Sequence, residues 1–281
     1  MPNRNVFGAM SGIVVVKLGG SAISVKTRDK SKACTPRLGV IHRALDAIAE
    51  YREPLVLLHG GGSFAHPFIG PGMKKDCFRK ALSAVSEVEL NLDQLTRIIG
   101  VGLLLRNRPF VPIHPMSFLT LNNDTVASHF LAPIAGALSS GMIPLVHGDI
   151  AVDERGGFGV VSADHIASII LDKMEVSRVL FGCDVDGVYD SHPRKKNGAK
   201  LVKKIDKTNS FRILKGLKGE SGDVTGGMHG KVEEALKLAE NGVESTVFNL
   251  TKSSNLRDLL NGSHSIGTRI VAWKREPASR I

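Results

Sequence analysis

Three glycine-rich segments carry the residues best suited to chemistry. The first is Lys17-Leu18-Gly19-Gly20-Ser21, the second His59-Gly60-Gly61-Gly62-Ser63-Phe64-Ala65-His66, and the third runs from Gly222 to Lys231 and reads GDVTGGMHGK. Paired or tripled glycines let backbone N–H groups approach a ligand with no Cβ in the way, and successive N–H groups leading into a helix form a cradle for an anion. Each segment has a cation or an imidazole beside it: Lys17, His66 and Lys231. Two such cradles suit two phosphate groups, and a lysine at a helix start adds a mobile point charge. The third segment is not a Walker A loop, because Val232 follows the lysine where Ser or Thr is required and the glycine spacing fails. Gly60 to Ala65 satisfies the relaxed dinucleotide fingerprint GxGxxA after an apolar run. The acidic residue that fingerprint needs about 20 positions on is not convincingly present, since Asp76 comes too early.

These loops must be held by a scaffold, and the hydrophobic pattern describes one. Short, β-branched apolar runs at 12–18, 54–59, 108–114, 142–150, 177–183 and 244–250, bounded by glycine or polar residues, read as buried strands. Between them, helical spacing covers Arg37 to Tyr51, Phe78 to Arg106, Thr125 to Ser139, Asp164 to Met174 and Lys231 to Asn241. Strands alternating with helices over the whole length predict an α/β protein: a three-layer αβα sandwich with a mostly parallel, open central sheet. No internal repeat or low-complexity linker divides the 281 residues, so one continuous sheet within one domain, 1–281, is expected. Ligands in such sheets gather at the carboxyl ends of strands, where the first two glycine segments lie.

Composition narrows the class. Hydrophobic residues make up 42% and charged residues 23%, ordinary globular usage that excludes disorder. No apolar stretch approaches the roughly 18 residues of a membrane helix, and the apolar run after the start is too short for a signal peptide, so a cytoplasmic protein is expected. Cys34, Cys77 and Cys183 are odd in number and far apart, which argues against a disulfide framework or a zinc-cysteine site. The net charge of +10 is concentrated between Ser191 and Glu220, where ten Lys/Arg face two acids. Pro, Gly and Asn punctuate that stretch, which reads as a solvated loop or hairpin; Phe211 is its lone aromatic, too little for stacking on single-stranded nucleic acid.

Taken together, the motifs resemble those of the amino acid kinase family and, within it, the isopentenyl phosphate kinases. The pieces are KLGGS at 17–21 with Lys26 following, HGGGSFAH at 59–66, HGD at 147–149, SAD at 162–164, DVDGVY at 184–189 and DVTGGMHGK at 223–231, in family order from about Gly12 to Phe248. His66 separates isopentenyl phosphate kinases from acetylglutamate, aspartate and uridylate kinases, although fosfomycin-type kinases carry such a histidine too. The resemblance implies the amino acid kinase fold, with residues 12–160 as the acceptor-binding half and 161–281 as the nucleotide-binding half. It implies that Lys17, Lys231, His66, Asp164 and Lys26 do the catalytic work. ATP falls to Lys17, Gly19, Gly20, Ser21, Asp184, Gly187, Tyr189, Gly227 and Lys231, and the acceptor phosphate to Gly60, Gly61, Gly62, His66 and Gly148. Asp164 would orient the two lysines; as an alternative it could simply cap the helix it begins. Mg²⁺ is expected with ATP, held mainly by phosphates and water and by no protein ligand; a homodimer is expected from the family. Two positions depart from the pattern: Ala65 stands where glycine is usual, and Cys183 where threonine is usual.

An isopentenyl tail needs a small apolar pocket. Phe78, Val85, Val88, Leu92, Leu95 and Ile98, on the long helical stretch after the His66 loop, have suitable spacing. Alternatives to this acceptor are a phosphonate or a carboxylate, as in fosfomycin-type or acetylglutamate-type kinases. More remote are an NAD(P)-dependent oxidoreductase, which rests on GxGxxA alone, and a nucleic-acid-binding protein, which rests on the basic segment.

Overall fold

The structure, a computed structural model, describes residues 12–27, 29–69, 78–123, 125–191, 198–217 and 227–273. At its centre is β1 (Ile13–Leu18), every residue of which is buried. An uninterrupted apolar strand is the mark of burial on both faces, and here Ile13 and Val15 enter one core while Val14, Val16 and Leu18 enter another. Parallel to β1 lie β2 (Leu55–His59) on one side and β9 (Val176–Cys183) on the other. Beyond β2 come β6 (Ile143–His147) and the edge strand β3 (Phe110–Ile113), both parallel. Beyond β9 come β11 (Glu244–Asn249), then β12 (Thr268–Ile270), which is antiparallel to it, and β10 (Lys204–Ile205).

Helices cover both faces. The face reached by Val14 and Val16 packs α1 (Gly20–Ile23), α2 (Leu38–Glu50), part of α3 (Phe78–Leu104) and α8 (Asn255–Leu260). The opposite face packs α4 (Ala132–Ser139), α5 (Ala163–Ile170), α6 (Ser210–Leu217) and α7 (Gly227–Glu240). The three-layer αβα sandwich expected from the sequence is therefore present. Chain order reverses between β1 and β9, because the chain leaves β1 for β2 on one side and later returns on the other. That is the topological switch point at whose carboxyl end open α/β sheets leave a crevice. Among the described residues, no helix is long and apolar enough to cross a membrane.

Each of the six apolar runs contributes a strand to this sheet. Three expectations need correction. The helix read over Thr125 to Ser139 begins only at Ala132; its first five residues form β5 (Thr125–His129), paired antiparallel with β4 (Leu119–Asn122). Asn123 supplies the positive φ of 56° that the intervening turn requires, a backbone role that helical periodicity does not register. The run at 142–150 is two strands, β6 and β7 (Asp149–Val152), broken at Gly148; β7 pairs with β8 (Phe158–Val161). The basic stretch is not all loop, since Ile213 and Leu217 anchor α6 to the core and leave Phe211 exposed; 192–197 and 218–220 lie outside the described residues.

Leu145 in β6 is fully buried, whereas Leu104 at the end of α3 is 63% exposed. Leu145→Ala should cost about 2–5 kcal/mol of stability in urea unfolding, and Leu104→Ala no more than about 0.5 kcal/mol.

Candidate active site

The loops that leave the strand ends are fastened to one another by backbone hydrogen bonds. Leu250 N–H donates to Cys183 O at 2.9 Å, Gly19 N–H to Gly182 O at 2.9 Å, Gly60 N–H to Leu18 O at 2.9 Å and Gly148 N–H to His59 O at 3.0 Å. The turns after β9, β1, β2 and β6 thus stand side by side. The two glycine cradles touch: a Cβ on Gly20 would overlap Gly62 N and Cα, so only glycine allows this approach. Ser24, which nothing in the sequence singles out, clamps the pair. Its hydroxyl donates to Gly20 O at 2.7 Å and accepts from Ser63 N–H at 2.9 Å.

This ladder refines what each glycine can offer a ligand. The amides of Gly19, Gly60 and Gly148 are engaged by neighbouring strands, so among the described residues the second cradle presents Gly61 and Gly62, and the first presents Gly20 and Ser21 at the start of α1. His66 follows in the same turn, half-buried, with its N–H on Gly62 O at 3.0 Å. The fingerprint reading of Gly60 to Ala65 fails here. Strand β2 runs into a 3-10 turn over Gly62–Phe64, not into the helix that a dinucleotide would need at that point; α3 begins only at Phe78.

Below the cradles sits a buried charge triad. Lys17 Nζ lies 2.9 Å from Asp164 Oδ1, and Lys231 Nζ donates to both Asp164 oxygens at 3.0 and 2.9 Å. Lys17 comes from β1, Asp164 from the first turn of α5 and Lys231 from the first turns of α7, so three elements distant in sequence must close around one carboxylate. The capping role open to Asp164 in the sequence belongs instead to Ser162, whose side chain accepts from His165 N–H. Burial alone would push Asp164 up, but the two ammonium groups hold it well below the usual carboxylate range. Burial pulls Lys17 down to about 8 against the attraction of Asp164, with the Lys231 charge adding to the fall. Burial acts downward on Lys231 as well; its attraction to Asp164 and its two hydrogen bonds there outweigh that and leave it raised.

Around the triad, Ser21 Oγ donates to Asp184 Oδ1 at 2.8 Å, which joins the first cradle to the turn after β9. Gly187 and Tyr189 continue that turn, Tyr189 bridging Leu201. Gly227 opens α7 with a φ of 57°; residues 222–226, the first half of the third glycine segment, lie outside the described residues. Lys26 is exposed, just beyond Val25, whose N–H donates to Thr35 O; among the described residues, the ion pairs of the triad do not include it. Gly148 lies against the start of α5, where a Cβ would come within 2.7 Å of Ala163 N.

The apolar stripe on α3 divides. Val85, Val88 and Leu92 pack with Ala65, Phe68 and Ile150 in a small cluster beside the His66 turn, while Leu95 joins the main core with Ile98 packed against it. The side chain of Phe78 lies outside the described residues. Ile150 and Phe68 were not legible as neighbours of α3, because strand and turn positions meet a helix only through the fold.

The model of the amino acid kinase family matches residues 12–249. An isopentenyl phosphate kinase of Methanothermobacter thermautotrophicus is 31% identical, over 92% of this chain and 99% of its own. An acetylglutamate kinase of Staphylococcus epidermidis is 27% identical, over 88% of this chain and 99% of its own. A solved isopentenyl phosphate kinase superposes with a TM-score of 0.78 at 30% identity, over 92% of this chain and all of that one.

A group whose folded pKa is depressed contributes stability above its unfolded pKa, near 4 for Asp, and loses it as pH falls. Asp164→Asn should therefore lower the urea midpoint strongly at pH 7, where two buried ammonium groups lose their counter-charge, and the gap from the unaltered protein should narrow between pH 5 and 3. Adding Lys17→Met to Asp164→Asn should recover part of the loss. A gap independent of pH would contradict the assigned charge state.

Proposed function

The chain belongs to the amino acid kinase family, and from the cleft that its loops build we infer that it transfers the γ-phosphoryl group of ATP to isopentenyl phosphate, giving isopentenyl diphosphate and ADP. The observation that carries the reading is the contact of two glycine cradles above a buried Lys-Asp-Lys triad. Transfer between two phosphates requires two anion sites that share a wall, so that donor and acceptor meet in line.

A phosphate monoester has a second pKa of about 6, so the attacking oxygen is already mostly ionised at neutral pH and no general base is needed. What remains is to hold two anions together and neutralise the charge that develops during transfer. Lys17 and Lys231 flank the transferred group, and Asp164 orients both without taking a proton, since its carboxylate already accepts three hydrogen bonds from ammonium groups. Gly20 and Ser21 hold ATP phosphates at the start of α1, Asp184, Gly187, Tyr189 and Gly227 form the nucleotide side, and Gly61, Gly62 and His66 hold the acceptor phosphate. Gly19, Gly60 and Gly148 position these donors by close backbone packing. Lys26 acts from the loop after α1, over the cleft.

Mg²⁺ would screen the triphosphate charge when bound with ATP. The donor set suits an ion carried largely by phosphates and water, because Asp164 is occupied by the two lysines and Asp184 is held by Ser21. The acceptor's apolar tail fits beside Ala65, Phe68, Val85, Val88, Leu92 and Ile150, directly past the phosphate end of the site. In this reading residues 12–160 supply the acceptor side and 161–281 most of the nucleotide side. The free thiols Cys34 and Cys183 suit a cytoplasmic enzyme, and exposed Val101, Leu104 and Leu105, next to the sheet's β3 edge, suit a homodimer.

A kinase assay with isopentenyl phosphate, fosfomycin and N-acetylglutamate in parallel tests the acceptor; preference for either of the last two would overturn it. Lys17→Met and Lys231→Met should each reduce kcat by at least about 10²–10³, with the fold retained by circular dichroism. His66→Ala should raise KM for the phosphorylated acceptor more than for ATP, and His66→Gln should recover part of the loss.

A further inference from the structure

Parallel register sets three histidines in a row at the carboxyl ends of β2, β6 and β3. His59 pairs with His147, and His114 follows Ile113, the partner of Val146. Ring centroids are 5.3 Å apart for His59 and His147 and 5.0 Å for His114 and His147. His59 is committed: the Thr96 hydroxyl donates to Leu92 O, so the Nε2–H of His59 donates to Thr96 at 2.9 Å. The other two are arranged differently. His147 Nε2 and His114 Nδ1 face each other at 3.2 Å, about the separation of two nitrogens on one zinc with bonds of about 2.0–2.1 Å. Asp149 lies against the same imidazole, its Oδ2 3.7 Å from His147 Nδ1, the ring nitrogen on the Gly148 side. The Asp149 side chain is wholly excluded from solvent and shares a hydrogen bond with the carboxyl group of Glu89, whose Oε1 is buried as well. Two carboxyl groups held this close beside facing imidazole nitrogens concentrate donor atoms where a cation can replace the shared proton.

We propose that His114, His147 and Asp149 form a binding site for one divalent transition-metal ion of the zinc class, distinct from the magnesium that accompanies ATP. Donor atoms from the three residues lie within 4.8 Å of one another, so closure on an ion requires only small side-chain rotations. Two imidazoles and one carboxylate favour zinc or cobalt over the all-oxygen preference of magnesium. A second shell exists as well. Asp93 Oδ1 lies 3.5 Å from His114 Nε2, which turns Nδ1 inward, and His147 Nδ1 is 3.3 Å from Gly148 O, which leaves Nε2 for the ion. Glu89, one turn before Asp93 on α3, hydrogen-bonds Asp149 and so belongs to the shell around the three ligands. An ion here would tie β3, β6, β7 and α3 together directly behind the turn that carries Gly148.

The test is equilibrium dialysis of the metal-stripped full chain against Zn²⁺ and Co²⁺, without nucleotide or Mg²⁺, followed by metal analysis and the visible spectrum of the cobalt form. One equivalent per chain is expected, with cobalt bands of a nitrogen-oxygen site and a raised Tm. Asp149→Asn and His114→Ala should each weaken binding at least tenfold, and Asp93→Asn about 10–100-fold; His229→Ala should leave it unchanged. His114 is partly exposed, so His114→Ala decides the matter if Asp149→Asn does not fold. Failure to bind either ion stoichiometrically at 0.1 mM, or binding that survives His114→Ala and Asp149→Asn, would overturn the proposal. Since the readout is metal content, the outcome does not depend on whether isopentenyl phosphate is the acceptor.

Discussion

One carboxylate holds the candidate active site together. Asp164 is buried with two ammonium groups against it, and the three side chains leave one positive charge in excess in a site nearly closed to water. Such a group is expensive to form, since each ion gives up hydration that only close, well-directed contacts return. The arrangement therefore makes strong demands on the scaffold: β1, α5 and α7 must converge to within hydrogen-bond distance, and the central sheet provides that convergence. The excess charge is also what a phosphoryl group in transit requires. An incoming phosphate favours the protonated form of Lys17, whose hold on its proton burial has weakened, so ligand and triad stabilise each other.

A second constraint is steric. The backbone at Gly20 approaches that at Gly62 closely enough to exclude any side chain, and Ser24 fixes the contact through two hydrogen bonds. Two anion cradles at independent strand ends would be free to bind unrelated ligands; two cradles that share a wall can bring those ligands into reaction distance. The row of amide-to-carbonyl bonds from Leu250 through Gly19 and Gly60 to Gly148 carries the same register across the strand ends.

Much of this architecture is legible in the residues alone. The parallel interior strands β1, β2, β6, β9 and β11 are all apolar runs, because burial on both faces leaves no polar alternation to confuse the reading, and glycine pairs at strand ends declare close backbone approach; the short β12 and β10, with Thr268, Arg269 and Lys204, carry no such run and escape. Lys17, Asp164 and Lys231 are legible as a set through the family resemblance, although their mutual contact is a property of three dimensions. The features that escape are local or relational. The β4–β5 hairpin depends on one left-handed residue, Asn123, inside a stretch whose spacing also suits a helix. Ser24 is an ordinary serine until Ser63 is placed beside it. The histidines at 59, 114 and 147 lie far apart in sequence and become neighbours only through the strand order β2-β6-β3.

The two departures from the family pattern fit this physical picture. Ala65 packs its methyl group into the apolar cluster with Phe68, Val88 and Leu92, so the extra carbon adds to that cluster and leaves the amides of Gly61 and Gly62 untouched. Cys183 stands where threonine is usual, and its thiol lies 3.2 Å from Val185 O and 3.1 Å from Phe248 O, a weak donor in place of a hydroxyl. Burial pushes that thiol up to about 11, so it stays neutral even with Lys231 nearby. A thiolate there would have cancelled the excess charge of the triad. A neutral thiol bonds to the carbonyls of Val185 and Phe248 at the turn after β9 and leaves the net positive charge of the triad intact.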